Sequence, residues 1–230
     1  MLCLLLSEST TLSNRKNRQV LTLDNPHAIR QVTTPEQPDI SWTADLSMDE
    51  VYSIVDYTQI GYRKLNAALN SDNLTEDITN ICHLMDNTLA KAPEGTTTRP
   101  LYRVQHLDAL PQVGDTHTFK SYASTSTDPS LANNYFTGYG QEVIFEIVTS
   151  KGVDINAFSV KEGREREILL PRNTSFKVHN VVTTDWVILL VDEEAGVKYD
   201  YVAKRDVILV QLVDENVQSG ALTNQMAEAA

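Results

Sequence analysis

A change of period at Pro100 constrains this chain more than any other feature. Before it, apolar residues recur at three- and four-residue steps; after it, short β-rich runs alternate with turn residues. Ser47-Met48-Asp49-Glu50 reads as a capping box, the hydroxyl serving one end and the Glu carboxylate the other. Val51, Ile54, Val55, Thr58, Tyr62, Leu65 and Leu69 then mark one face of a helix. A second helix is expected with Thr75 as its cap and Ile78, Ile81, Cys82, Met85 and Leu89 on its buried stripe, ending before Pro93. Strands are expected at 101–106, 117–127, 142–148, 165–170, 175–182, 186–191 and 207–213, with turn residues between most of them. Helices followed by strands predict an α+β fold rather than an alternating parallel sheet.

The remainder of the chain frames that unit. Residues 1–40 mix Ser, Thr, Asn and Gln with Pro26, Pro35 and Pro38 and read as a poorly structured leader or packing arm. Residues 41–215 read as a single domain, helical over 47–92 and β-rich over 100–215, and 216–230 as a flexible tail. The apolar run at residues 2–6 is too short to span a membrane and has no basic segment before it, so neither a secretory signal nor a membrane partner is expected. Cys3 and Cys82 are too few for a disulfide framework and have no metal-ligand spacing. These features fit a cytoplasmic protein.

Charge narrows the partners. The chain carries 19 basic and 31 acidic residues, a net charge of −12, and a pI near 4.8. Gripping nucleic acid through phosphate neutralisation is therefore not expected. The acids cluster in 41–92 and 185–215, each with eight acids against three bases, whereas 93–184 holds ten against nine. An anionic ligand is best placed in that balanced middle.

Common chemistries drop out one by one. Gly138-Tyr139-Gly140 precedes a strand rather than a helix, so it is no dinucleotide fingerprint. No glycine is followed by Lys-Ser or Lys-Thr, and no Gly-x-Ser-x-Gly elbow is present. His27, His83, His106, His117 and His179 never form a zinc-ligand pair, so no metal is expected. Chemistry is left to carboxylates, arginine and serine. Three elements supply them: Arg103 within the apolar run Leu101-Tyr102-Arg103-Val104, four hydroxyls at Ser124-Thr125-Ser126-Thr127, and Glu165-Arg166-Glu167 opening a strand. An apolar strand seldom buries a guanidinium unless an anion or carboxylate meets it. Two carboxylates two residues apart on a strand share a face, and repel unless a cation or a site demands them.

Arg103, Ser124 and Glu165 follow one another at separations of 21 and 41 residues. In this order the elements resemble the mono-ADP-ribosyltransferases of the Arg/Ser-Thr-Ser/Glu-x-Glu clade, which includes clostridial binary-toxin enzymes, vertebrate arginine-specific ectoenzymes and T-even phage enzymes. The likeness runs from about Ser47 to Val182 and is densest after Leu101. It implies a split β-sandwich preceded by a helical segment, with NAD as co-substrate in the cleft and no metal. By the same resemblance Arg103 would hold an NAD phosphate, Ser124 would orient the catalytic carboxylate, Thr125 and Ser126 would support the strand end, and Tyr135 would pack on nicotinamide. Glu167 would stabilise the charge that develops as nicotinamide leaves, and Glu165 would position or activate an acceptor guanidinium. The implied partner is a target protein presenting an arginine, a host protein, met by the loop 152–164. The same site would accept another side chain, an RNA end or water, and a non-catalytic NAD-binding relic would keep the same residues. Two departures stand out. Val104 replaces a frequent glycine after the arginine, and Glu162 stands where the loop is commonly aromatic, with Phe158 four residues earlier.

Overall fold

The computed structural model describes residues 40–93, 100–129, 141–159, 166–192 and 197–214, the side chains of 185–192 and 197–207 excepted. Residues 1–39 and 215–230, and with them nearly all of the expected arm and tail, lie outside the described residues, as do Tyr135 and Glu165.

A 3-10 turn at Ser41–Asp45 leads into helix α1 (Met48–Asp56), whose first turn closes as the sequence predicts. The Glu50 amide donates to Ser47 Oγ at 3.3 Å and the Ser47 amide to Glu50 Oε2 at 2.6 Å. That carboxylate also receives Lys91 Nζ at 2.8 Å, which donates to Asp45 O as well at 3.0 Å. Lys91 closes α3 (Glu76–Lys91), so one ammonium joins the start of the first helix to the end of the last. Thr75 caps α3 by accepting from the Ile78 amide at 3.3 Å. Ile78, Cys82, Met85 and Leu89 form its buried stripe, and His83 is exposed.

Between α1 and α2 (Tyr62–Asn70) the backbone takes a π turn at Tyr57–Gly61. A π turn widens the helix by one residue and shifts the faces beyond it. The buried line runs Ile54, Tyr57, Leu65, Leu69, so Tyr57 faces inward while Thr58 is half-buried and Tyr62 exposed. This corrects the expected stripe, which passed through Thr58 and Tyr62.

The strands are β1 (Leu101–His106), β2 (Thr116–Phe119), β3 (Ala123–Ser126), β4 (Glu142–Val148), β5 (Val153–Asp154), β6 (Glu167–Leu170), β7 (Thr174–Asp192) and β8 (Val197–Val213). They run in the order β2-β7-β8-β4-β1-β3-β6-β5, antiparallel except for β4 beside β8. β1 and β4 match the expected ranges. The run 117–127 does not form one strand: β2 pairs with β7, whereas β3 pairs with β1 and β6. The two expected strands at 175–182 and 186–191 are one, because Thr183, Thr184 and Asp185 stay paired with Ile208, Val207 and Asp206 across the hairpin. β8 begins at Val197 rather than at residue 207, and β5 and the 3-10 turn Asn156–Phe158 were not expected.

β1 and β3 meet at the register pair Tyr102↔Ser126, and there the sheet divides into a five-stranded part ending in β1 and a three-stranded part starting with β3. This is the split sheet that the resemblance implies. Strand alternation sorts β6 between two cores: Ile168 and Leu170 join Leu101, Phe145, Phe176 and Val210, while Leu169 joins Ile54, Met85 and Tyr122 under the helices. Each fully buried side chain of this size contributes about 1.5–3 kcal/mol.

Tyr122 joins helices to sheet. It has no exposed surface, and its hydroxyl donates to Asp86 Oδ1 at 2.6 Å and to Cys82 O at 3.2 Å. Asp86 in turn accepts two strands of an arginine fork from Arg172, Nη2 at 2.7 Å and Nε at 3.0 Å. Among the described residues no helix is long and apolar enough to cross a membrane.

The Glu50 carboxyl is lowered from its ordinary 4.5 to about 2, first by the Lys91 hydrogen bond and then by the Ser47 amide. A depressed carboxyl stabilises the fold fully above its unfolded value and loses that contribution as pH falls through the folded one. Glu50→Gln is therefore expected to melt below the native protein near neutral pH, with the gap closing between about pH 4.5 and 2. Thermal melts of both proteins across that range check it.

Candidate active site

The site forms where the sheet divides. One residue past the Tyr102↔Ser126 pair, Arg103 Nη1 donates to Ser124 O at 2.8 Å, so a guanidinium bridges the two strands beyond their last shared register pair. Arg103 Nε also approaches Gln105 Oε1 at 3.4 Å. Ser124 and Ser126 lie two apart on β3 and share a face, with Ser124↔Leu169 and Ser126↔Glu167 opposite each other across β3 and β6. Glu167 is buried at 8% exposure, which is unusual for a carboxylate. Thr125 is buried on the opposite face and donates from Oγ1 to Ile168 O at 2.6 Å, locking β3 to β6. Ser126 Oγ accepts from the Asp128 amide at 3.0 Å and so shapes the turn that follows.

The start of β6 departs from the alternation argument. Arg166 has φ of +44°, a left-handed conformation that few non-glycine residues adopt. Period two therefore begins at Glu167, and strand alternation cannot place Glu165 on Glu167's face. The structure thus brings together Arg103, Ser124, Ser126 and Glu167, with Thr125 behind them. Tyr135 and Glu165 lie outside the described residues.

Two helix residues complete the site without having been predicted. The Tyr57 phenol is 2% exposed and feels Ser124, Arg103 and Glu167 together. Burial pushes its pKa up; the hydrogen bonds of Asn66 and Ser124 and the charge of Arg103 oppose that rise, and Glu167 adds to it. Asn66 Nδ2 donates to Tyr57 Oη and to Tyr122 O, both at 3.2 Å. Its Oδ1 is buried with no hydrogen-bond partner among the described residues, an acceptor open to an amide or hydroxyl donor of a ligand. Sequence reading followed apolar periodicity and so passed over Asn66, while the π turn hid the inward Tyr57.

His117, set aside above as a metal ligand, stands beside Arg103. Its ring packs on Phe145 at 4.5 Å and on Phe119 at 4.7 Å. Burial, and then the Arg103 charge, hold the imidazole below its ordinary range, so it is neutral near pH 7. No cluster of three or more potential metal ligands occurs among the described residues.

Where the sheet divides, the structure thus gathers a guanidinium, a buried tyrosine beside an unsatisfied amide oxygen, and a buried carboxylate opposite a serine. Such a set fits NAD: the guanidinium suits a phosphate, the amide oxygen a carboxamide or ribose donor, and the carboxylate a centre that becomes cationic.

Comparison with known proteins agrees. A family model described as ADP-ribosyltransferase exoenzyme matches residues 36–201, well over half of the chain. No curated protein matches by sequence. Among solved structures, the enzymatic component C2-I of the C2 toxin from Clostridium botulinum aligns at TM-score 0.56 with 17% identity, over 75% of this chain and 45% of that one. The chain thus spans less than half of C2-I. Exoenzyme S from Pseudomonas aeruginosa, in complex with human 14-3-3 protein beta and bound to carba-NAD, aligns at 0.55 with 21% identity, over 79% of this chain and 83% of that one. The Vis toxin from Vibrio splendidus, an ADP-ribosyltransferase, aligns in complex with agmatine at 0.54 with 19% identity, over 81% and 91%. At these identities the structures establish the shared fold.

The geometry of the helix wall yields a stability test. Tyr57→Phe removes the acceptor of one Asn66 hydrogen bond and a donor to Tyr122 O, recorded at 3.4 Å. A loss of about 1 kcal/mol is expected, since Asn66 keeps Tyr122 O as a partner. Urea denaturation, with an unchanged slope, measures it.

Proposed function

The chain belongs to the ADP-ribosyltransferase exoenzyme family, whose enzymes use NAD as co-substrate, and we propose that it transfers one ADP-ribose from NAD to arginine on a target protein in a host or target-cell cytosol. The observation that carries this reading is the convergence of Arg103, Ser124 and buried Glu167 at the division of the sheet.

Arg103 grips the diphosphate with the planar donors of its guanidinium. Tyr57 and Asn66 line the nicotinamide end, where the free Asn66 Oδ1 accepts from the carboxamide or a ribose hydroxyl. By the resemblance, Tyr135, eleven residues after Ser124, would pack on the nicotinamide ring. Ser124 and Ser126 hold Glu167 from the β3 side. Glu167 accepts a hydrogen bond from the nicotinamide-ribose 2′-hydroxyl and stabilises positive charge at C1′. The C1′–N bond breaks, and its electron pair leaves with neutral nicotinamide. A nitrogen of the acceptor guanidinium then bonds to C1′, and its surplus proton passes to Glu165 and on to solvent. The burial of Glu167 strengthens this interaction, because a fixed charge acts further in a site shielded from water.

Arginine as acceptor rests on Glu165, the first carboxylate of the Glu-x-Glu pair. Acidic surroundings support a basic, arginine-bearing target: residues 41–92 carry eight acids and three bases.

Labelled NAD offered with a cell lysate, and separately with agmatine as a small guanidine acceptor, tests the proposal. The native protein is expected to label proteins and agmatine and to release nicotinamide. Glu167→Gln should lower both transfer and release by about 10²–10³-fold. Glu165→Gln should abolish transfer while retaining nicotinamide release, and Arg103→Lys should act mainly by raising the KM for NAD. Label that persists on substrates with blocked arginines would reassign the acceptor. A native protein that releases no nicotinamide would make the site a relic.

A further inference from the structure

Glu167 needs more than a strand to hold it, because its strand neighbour ends too soon. β5 pairs with β6 only through Val153↔Leu169 and Asp154↔Ile168. One further backbone bond follows, Ile155 N–H to Glu167 O at 3.2 Å. The chain then turns into the 3-10 segment Asn156–Phe158 and leaves the sheet edge. At that point the Glu167 amide would lose its ladder partner, at a cost typical of an unmet buried donor.

The Asn156 side chain supplies the missing acceptor. Its Oδ1 accepts the Glu167 amide at 2.8 Å, standing in for the carbonyl that a continued β5 would offer. Which end of the amide faces Glu167 is decided by chemistry, since a backbone N–H can bond only to the oxygen end. The nitrogen end is occupied too: Asn156 Nδ2 donates to Asp154 Oδ1 at 2.7 Å, and the same oxygen accepts the Asn156 amide at 2.9 Å. Asp154 therefore fixes the rotamer in which Asn156 serves Glu167. The turn itself is anchored, since Phe158 O accepts Thr58 Oγ1 at 3.1 Å and the Phe158 ring packs on Trp42 at 5.8 Å.

We propose that Asn156, oriented by Asp154, is a positioning residue that holds the Glu167 backbone in place for the reaction. Its bond joins the two ends of the 157–166 segment, which in sequence carries Glu165. On the Glu167 side the chain leaves the sheet at once through left-handed Arg166. The clamp fixes Glu167 to the β5 turn, so the carboxylate's position is set by β3, β5 and β6 rather than by the segment before it. This inference rests on the catalytic reading of Glu167 given above.

The test measures nicotinamide release and agmatine labelling for the native protein, Asn156→Ala, Asn156→Asp and the double variant Asp154→Asn/Asn156→Asp. Asn156→Asp keeps an acceptor for Glu167 but loses the donor to Asp154 and sets two carboxylates together. The double variant restores a donor–acceptor pair with the roles exchanged. Both single variants are expected to lower kcat for nicotinamide release by about 10–100-fold, the scale of a misplaced catalytic group. KM for NAD should stay within about twofold of native, because Arg103 is untouched. Agmatine labelling should fall in parallel with release, unlike in Glu165→Gln, and the double variant should recover much of the Asn156→Asp loss. A purely structural role would lower the melting temperature without this split when rates are read well below the melt. Native activity with kcat unchanged in Asn156→Ala would overturn the inference and leave the proposed function standing. Should that variant not fold, a double variant no faster than Asn156→Asp overturns it equally. A native protein without nicotinamide release would overturn both.

Discussion

The molecule depends on one hydrogen bond across a parting sheet, Arg103 Nη1 to Ser124 O at 2.8 Å. β1 and β3 share the register pair Tyr102↔Ser126 and then stop behaving as neighbours. Two strands that separate ordinarily expose backbone groups to whatever fills the gap. Here the gap is spanned by a side chain rather than closed by a ladder, so the sheet opens without abandoning Ser124 O. A guanidinium suits that task because its donors lie in a plane and are numerous; one can serve the chain while the group still presents a cationic face. Lysine, with a point charge on a flexible stem, would have to choose.

The helices make the opening stable. A divided sheet has weaker mutual support between its parts, and β3 is only four residues long. Tyr122, just before β3, compensates by inserting its ring under α1 and α3 and its hydroxyl between Cys82 O and Asp86. Arg172, just after β6, reaches the same Asp86. The beginning of β3 and the end of β6 are thus tied to one carboxylate on α3. The same tyrosine's carbonyl receives Asn66 and Tyr57, which makes the helical wall of the cleft and the anchor of the sheet a single network. The π turn matters here because its extra residue rotates α2 so that Asn66 meets Tyr57.

How much of this was legible follows from what local patterns can encode. The capping box at Ser47, the Thr75 cap and the limits of β1 and β4 are local facts, written in a few adjacent residues. Arg103, Ser124 and Glu167 could be picked out because an arginine, a hydroxyl cluster and paired carboxylates are conspicuous in β-rich surroundings, and the resemblance supplied their roles. The break between β2 and β3 was hidden because Phe119 and Ala123 both face the same core; alternation records which face is buried, not which strand lies alongside. The length of β7 and β8 was missed for the opposite reason. Polar Thr183 to Asp185 interrupt the apolar pattern, although a two-stranded hairpin tolerates polar pairs. Asn66 and Asn156 were invisible because each acts through hydrogen bonds to residues distant in sequence or around a turn, and a lone asparagine carries no pattern.

Glu165 and Glu167 stand two apart in sequence, and β6 begins at the second of them. Glu167 is the first residue of β6, opposite Ser126 and bound on its other edge by Ile155 and Asn156. Glu165 is separated from it by Arg166, whose left-handed φ ends the strand geometry in a single residue. A positive φ at a non-glycine residue carries a conformational cost, and it persists only where the flanking structure dictates it. Here the Arg166 carbonyl accepts the Thr127 amide at 3.4 Å, and the Asn156 clamp follows immediately. In the proposed chemistry this division has a purpose. Breaking the glycosidic bond demands a carboxylate fixed to within a fraction of an ångström, whereas acceptors differ in shape and approach. A sheet-bound Glu167 keeps the first step constant, and sequence changes on the far side of Arg166 can alter which acceptor is served without disturbing it.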